Sequence, residues 1–279
     1  MNGGDFWAII GKERYSIRLD EGELLYANAD VHPPLYIYQD ERFRWLHFGS
    51  NAVQSVMALG KDSHQLVLPY AIFLHAFLLF KASISSALIV GSGGGSIGRF
   101  LRHHFDEAAI YAIESNRLVV QQAKTFFNVS DAVFQMNVAD ACSVAFGDIV
   151  TSSDVVIVDL FDADKIPACL YSAEFYCQCA NVLDDDGVLA ANVVVDSAEA
   201  FTKILATIRS QFQQNTLCVP VPDHKNIIIL AFKRKPMDLS LSALYDRAAS
   251  LSPRFNLDLA TTVDEMAKVN PKNGDVFIM

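Results

Sequence analysis

Residues 87–114 read ALIVGSGGGSIGRFLRHHFDEAAIYAIE, and their order decides the fold. Ala87–Val90 is a short apolar strand. Gly91-Ser92-Gly93-Gly94-Gly95 follows as a turn. Ile97, Phe100, Leu101 and Phe105 then fall on one face of a helix. A second apolar run, Ala109–Ile113, ends in Glu114. The unit is strand, glycine turn, helix, strand, acid. Glycines let main chain approach a ligand where a Cβ would clash. The start of the helix offers free N–H groups. A carboxylate at the end of the second strand can accept bonds from two ribose hydroxyls. The stretch therefore predicts a nucleoside-bearing small molecule, held through Gly91, Gly93, Gly94, Gly95 and Glu114.

The glycine spacing narrows the class. Gly91, Gly93 and Gly95 alternate, and Ser96 stands where a dinucleotide fingerprint would carry its third spaced glycine. No Gly-Lys-Ser/Thr follows, which argues against a P-loop. The pattern suits the S-adenosylmethionine (AdoMet) binding class.

Outward from this unit, strands and helices alternate. Helix Arg117–Phe127 leads to strand Ala132–Met136 and then Asp140. Val155–Leu160 is a near-continuous apolar run, as in strands covered on both faces. Helix Ala173–Val182, strand Val188–Val195, helix Ala198–Phe212 and strands Thr216–Val219 and Ile227–Phe232 complete the series. The last two are close enough for a hairpin, which predicts one antiparallel edge strand. The alternation implies an α/β fold with a doubly wound, mostly parallel seven-stranded sheet of the AdoMet-dependent methyltransferase-like Rossmann type.

Upstream, Tyr15–Leu19, Leu35–Tyr38, Phe43–Phe48 and Val53–Leu59 are short β-rich runs separated by turn signals such as His32-Pro33-Pro34. They predict a small N-terminal β domain over residues 1–65. The α/β domain takes 66–236, beginning with a helix over Leu68–Phe80 whose Pro69 sits in the first turn. Residues 237–279 form a helical tail, with one short helix from Leu241 to Leu251 and another at Val263–Val269.

The bulk properties bound the function. The chain has 279 residues, 52% hydrophobic and 19% charged, against roughly 25% charged in an average domain. A net charge of −10 argues against a nucleic-acid backbone binder and suits a cationic substrate. The apolar run Leu66–Phe80 contains Pro69 and His75 and falls short of the roughly 18 residues of a membrane helix. No signal peptide is read at the start, and a cytoplasmic protein with no membrane partner is expected. Cys142, Cys169, Cys177, Cys179 and Cys218 fit neither a zinc site nor a redox-pair spacing, so reduced thiols are expected. His32, His47 and His64 share no spacing, and no metal ligands are expected.

In an open α/β sheet, ligands sit at the carboxyl ends of the strands. Those ends carry the glycine turn, Glu114, Asp140 and the run Asp159-Leu160-Phe161-Asp162-Ala163-Asp164. Asp140 is placed to meet an adenine amino group. Carboxylates at the mouth of the fourth strand can hold an ammonium group and take its proton.

Over residues 43–233 these features resemble the spermidine synthase, or polyamine aminopropyltransferase, family. The resemblance is carried by Phe48-Gly49 with Gln54, Tyr70, the glycine turn, Glu114 and Asp140. It continues through Asp159-Leu160-Phe161-Asp162 with Pro167-Ala168-Cys169-Leu170, Glu174-Phe175-Tyr176, and Leu183 to Gly187. It implies transfer of an aminopropyl group from decarboxylated AdoMet to an amine such as putrescine, by a homodimer. Gln54, Glu114 and Asp140 would contact the donor, Asp159 would be the base, and Asp162 and Tyr70 would position the amine. The family pattern has Asp at the place of Ser96, Gln at the place of Ala71, and a tyrosine near Pro222-Asp223-His224. An acid at position 96 would repel the carboxylate of intact AdoMet; Ser96 does not. The alternatives are an AdoMet-dependent methyltransferase and a non-catalytic nucleoside-binding homologue.

Overall fold

The structure, a computed structural model, describes residues 5–10, 13–50, 52–160 and 166–279. The N-terminal part is antiparallel. β1 (Asp5–Ile10) and β2 (Glu13–Arg18) form a hairpin. β3 (Glu23–Asn28), β4 (Leu35–Gln39), β5 (Phe43–His47) and β6 (Val53–Ala58) form a four-stranded meander in that order. Period-two patterning fixes its faces. Leu35 and Ile37 are fully buried, while Tyr36 and Tyr38, alternating with them on the other face, are half-buried. Trp45 is fully buried, and its indole N–H finds the Leu19 carbonyl at 3.0 Å. β1 and β3 lie outside the four runs expected from sequence.

The predicted helix over 68–80 is shorter. α1 (Pro69–Leu74) passes into a 3-10 turn over His75–Leu79. The cause is local: the His75 ring takes the Ala71 carbonyl at 2.7 Å, the acceptor a continuing α-helix would give to the His75 N–H. That N–H turns to Ile72 instead, which tightens the coil.

The second part is a seven-stranded sheet with helices on both faces. Its strands are β7 (Ser86–Val90), β8 (Ala109–Glu114), β9 (Gln135–Val138), β10 (Ser153–Val158), β11 (Leu183–Val194), β12 (Thr216–Pro220) and β13 (Asn226–Phe232), in the order β12-β13-β11-β10-β7-β8-β9. The α/β class and mostly parallel sheet are as the sequence predicts. One detail differs: the antiparallel strand is β13, which pairs with β11 on one side and β12 on the other, so the edge belongs to β12. Strand order reverses between β7 and β10, the switch point where such sheets bind ligands.

α2 (Ser96–His104), α3 (Arg117–Phe126), α4 (Ala173–Val182) and α5 (Ala198–Gln211) are the crossovers. Three start on side-chain caps: Asn116, Ser172 and Ser197 accept from the first-turn amides. The apolar core lies in two layers. One, against the N-terminal sheets, gathers Phe77, Phe100, Phe127 and Phe134; the other gathers Phe146, Tyr176 and Phe212.

The tail forms α6 (Leu241–Phe255) and α7 (Leu259–Val269). Just past α7, Asn270 accepts from the Cys218 N–H at 2.8 Å and donates to the Cys218 carbonyl at 2.7 Å. That reciprocal pair occupies part of the β12 edge, which would otherwise be open to strand pairing. Among the described residues, no helix is long and apolar enough to cross a membrane.

Candidate active site

The carboxyl ends of β7, β8, β9, β10 and β11 open into one cavity of about 900 Å³. Gln54, Tyr70, Gly91, Gly93, Glu114, Asp140 and Asp159 all line it. The predicted residues thus converge from six separate stretches. Asp162 and Asp164 lie outside the described residues.

The glycine turn is shaped by its neighbours as much as by any ligand. A Cβ on Gly91 would meet the Asp159 carbonyl at 2.2 Å. One on Gly94 would meet the Ser55 side chain at 2.8 Å, and one on Gly95 would meet Val129 at 2.6 Å. Gly94 and Gly95 therefore serve packing, wedged between β6 and the 129–134 segment, and are not on the cavity wall. Gly95 also enters α2 with φ +78°, a conformation glycine adopts without strain.

Hydrogen bonds fix the turn. The Gly93 N–H donates to Glu114 Oε2 at 3.0 Å, and the Asn116 N–H to Oε1 at 3.0 Å. Glu114 is held by one bond to each oxygen, with lone pairs left for a ligand hydroxyl. The Gly94 N–H donates to Ser55 Oγ at 2.7 Å. Behind the turn, the buried Arg99 donates to the carbonyls of Gly94, Phe127 and Ser63 at 2.5, 2.8 and 3.1 Å, and to Ser96 Oγ at 3.2 Å. All four acceptors are uncharged, and burial draws the guanidinium pKa down to about 9.

Asp159 follows β10. Tyr70 donates its hydroxyl to Oδ2 at 3.0 Å, and Asn192 donates its amide to Oδ1 at 2.8 Å. Burial raises the Asp159 pKa; the two donors oppose that shift, and the Glu114 charge adds to it. The Tyr70 hydroxyl is pushed well above its usual range, first by burial and then by the Asp159 charge. It therefore stays a donor. Asn192 is held in turn by Asn226, whose amide donates to its Oδ1 at 2.9 Å.

Two polar atoms on the cavity wall lack partners among the described residues: Gln54 Nε2 and Ser92 Oγ, both buried. Leaving such atoms unsatisfied costs about 1–3 kcal/mol each. They fit a site that a polar nucleoside completes. Asp140 is exposed at the rim, its Oδ1 accepting from the Cys142 N–H at 2.9 Å.

Sequence reasoning missed several of these groups. Asn192 had a signal, a lone amide near the end of the apolar run Val188–Val195. Ser92 and Ser55 had none. Phe6 and Trp7, from β1, also reach the cavity wall, and Asp223 and His224 contribute where the synthase pattern has a tyrosine. Cys142 and Cys169 form a disulfide across 27 residues, contrary to the expectation of reduced thiols; Cys177, Cys179 and Cys218 are free. Spacing could not reveal the pair, because the contact is made by the fold. Among the described residues, one group of side chains is close enough to share a metal ion, His64, His103 and His104, and none of them lines this cavity.

With that geometry in hand, the likenesses to other proteins are specific. A family model described as the spermine/spermidine synthase domain matches residues 71–242, more than half of the chain. The polyamine aminopropyltransferase of Neisseria meningitidis serogroup A is 28% identical over 247 residues, covering 88% of this chain and 93% of that protein. A probable spermidine synthase from Corynebacterium glutamicum superposes with a TM-score of 0.66 at 18% identity, over 82% of this chain and 87% of that one. Human methyltransferase-like protein 13, solved with SAH, gives a TM-score of 0.57 at 21% identity, over 67% and 88% of the two chains. At these identities the two structures speak to the fold alone.

Proposed function

The chain belongs to the spermine/spermidine synthase family and is a transferase, and on that premise we propose that it moves an aminopropyl group from decarboxylated AdoMet to a small polyamine acceptor such as putrescine. The observation that carries the reading is the Tyr70–Asp159–Asn192 constellation beside the Glu114-bound glycine turn, within one cavity. Seat and base are then adjacent.

In the proposed reaction the acceptor nitrogen attacks the aminopropyl carbon next to the donor's sulfonium. The C–N bond forms, the C–S bond breaks with its electron pair going to sulfur, and 5′-methylthioadenosine leaves. The nitrogen's proton goes to Asp159. A sulfonium is already an activated leaving group, so the protein's task is alignment and proton removal. The raised pKa of Asp159 makes it a stronger base than an exposed carboxylate. Tyr70 and Asn192 leave it lone pairs to accept from the amine. We assign Glu114 to the donor ribose, Asp140 and Gln54 to the rest of the nucleoside, and Asp162 to holding the amine. A homodimer with neither nucleic acid nor membrane as partner completes the reading, the absence of nucleic acid supported by the net charge of −10.

A second reading, methyl transfer from intact AdoMet, is favoured by one observation. Ser96, which lines the cavity where the family pattern has an acid, is uncharged and does not repel a donor carboxylate. The deciding experiment incubates purified protein with each donor and a panel of di- and triamines. Methylthioadenosine with an aminopropylated amine supports the proposal. S-adenosylhomocysteine with a methylated product supports the second reading and overturns the first.

A further inference from the structure

Three imidazoles from two distant stretches meet on the far side of α2 from the cavity. His103 and His104 close α2, and His64 lies in the turn before α1. One ring nitrogen from each lies within 4.8 Å of the others. His103 and His104 are adjacent on the last turn of α2, with ring centres 4.9 Å apart and planes at 90°. His64 joins them, stacked on His103 with ring centres 3.5 Å apart and edge-on to His104 at 6.0 Å.

We propose that His64, His103 and His104 form a binding site for a divalent transition metal of the zinc, nickel or copper kind, with water completing the coordination, and that the ion pins the 60–65 turn to the end of α2.

The donor set is the first support, since neutral imidazole is the preferred ligand of these ions. His64 is in the right tautomer. Its Nε2 accepts from the Gln65 amide at 2.9 Å. The lone pair that a metal ion needs therefore sits on Nε2. The Gln65 amide is itself held, its Oε1 accepting from Asn256 at 3.0 Å, so an ion on Nε2 has to displace the amide nitrogen.

His104 is the second support. Its Nε2 is buried with no partner among the described residues, while the ring is walled by Phe100 and Phe255 at 4.5 and 5.1 Å. A ring nitrogen left bare in such a place is costly, and a metal ion would use it. The third support is anchorage. Arg99 Nε holds the Ser63 carbonyl at 3.1 Å, so the residue before His64 is already tied to α2. A tetrahedral ion with bonds of about 2.0–2.1 Å needs nitrogens about 3.4 Å apart. Closing from 4.8 Å requires turning the exposed His103 and a small shift of His64.

The test uses untagged full-length protein stripped with a chelator. Zinc titrated by calorimetry should bind at one equivalent with micromolar affinity, and cobalt should give visible d–d bands of a low-coordinate nitrogen site. H103A and H64A should each weaken binding more than tenfold, while H32A, at an exposed histidine outside both the cluster and the cavity wall, should not. Zinc should raise the melting temperature of the wild type but not of H103A. H103Q, exposed and harmless to folding, keeps the test decisive should H64A fail to fold. Binding only at millimolar zinc, or binding that survives H103A and H103Q, would overturn the site and reduce the cluster to packed neutral rings. None of these readouts depends on the donor or the acceptor.

Discussion

Replacing Asp159 by Asn changes charge with almost no change of shape. Asp159 accepts one bond from Tyr70 and one from Asn192. An amide at 159 can still accept from Asn192 through its oxygen, and can donate to the Tyr70 oxygen once that hydroxyl turns. The geometric loss is therefore about tenfold at most. What disappears is the proton acceptor, and general-base removal costs about 10²–10⁴ in rate. We expect kcat to fall about 10³-fold, roughly 4 kcal/mol of transition-state stabilisation. The donor KM should change little, because Asp159 is not assigned to the nucleoside. Stability should move the other way. Burial raises the folded-state pKa of Asp159, so its contribution is full below the ordinary carboxylate pKa and is lost as pH rises through the raised value. At neutral pH the ionised carboxylate is a burden, and Asn removes it. The Asp159→Asn protein should melt no lower than wild type at pH 7.5, with the difference vanishing toward pH 3. The assay is methylthioadenosine release with decarboxylated AdoMet and a confirmed acceptor, beside thermal melts across pH. Turnover within threefold of wild type would refute the base assignment; a sharply lower melting temperature would refute the electrostatic argument.

Tyr70→Phe removes one bond donated to a carboxylate and should lower kcat/KM by about 10–100-fold, with the pH profile showing Asp159 titrating higher. Glu114→Gln sets an amide against one of the two backbone N–H groups that donate to Glu114 and should weaken nucleoside binding about 30-fold, read by calorimetry as the Kd of methylthioadenosine. His75 is held neutral by burial, its pKa drawn down to about 4. Its contribution is present above the unfolded value near 6.5 and is lost as pH falls toward 4, about 3 kcal/mol in all, so the urea midpoint should fall over that window and fall less in His75→Gln. Reducing the Cys142–Cys169 bond reopens a loop of 27 residues and should cost about 3–4 kcal/mol by chain entropy, seen as a lower melting temperature in dithiothreitol that Cys142→Ser reproduces.

The parts of this molecule that could be read from its sequence share a cause. Strand ends in a parallel sheet converge, so Glu114, Asp140 and Asp159 could be placed together from periodicity and order alone. What failed was what the third dimension decides. Val133 and Phe134 read as strand, yet Ser130 accepts both of their N–H groups in a turn, and the Phe134 ring fills the hollow left by Gly98. Their apolar character serves packing, and β9 begins later, at Gln135. The hidden half of His75 is similar, since only the fold shows its ring taking a backbone acceptor. Cys142 with Cys169, and His64 with His103 and His104, are partnerships across tens of residues that no spacing rule reaches.

The seam between the glycine turn and the end of β10 carries a consequence for how such an enzyme diversifies. The Asp159 N–H is bonded to the Val90 carbonyl at 2.8 Å, and the Asp159 carbonyl faces the one place where a side chain on Gly91 would have to go. Main chain abuts main chain there, so neither half can be retuned without dragging the other. A descendant shifting to a longer or bulkier amine would have to leave that joint alone and remodel the vestibule, through Phe6, Trp7, Asp223 and His224. Inherited drift in acceptor preference should therefore be written in the terminal hairpin and the β12–β13 turn, while the joint itself stays fixed.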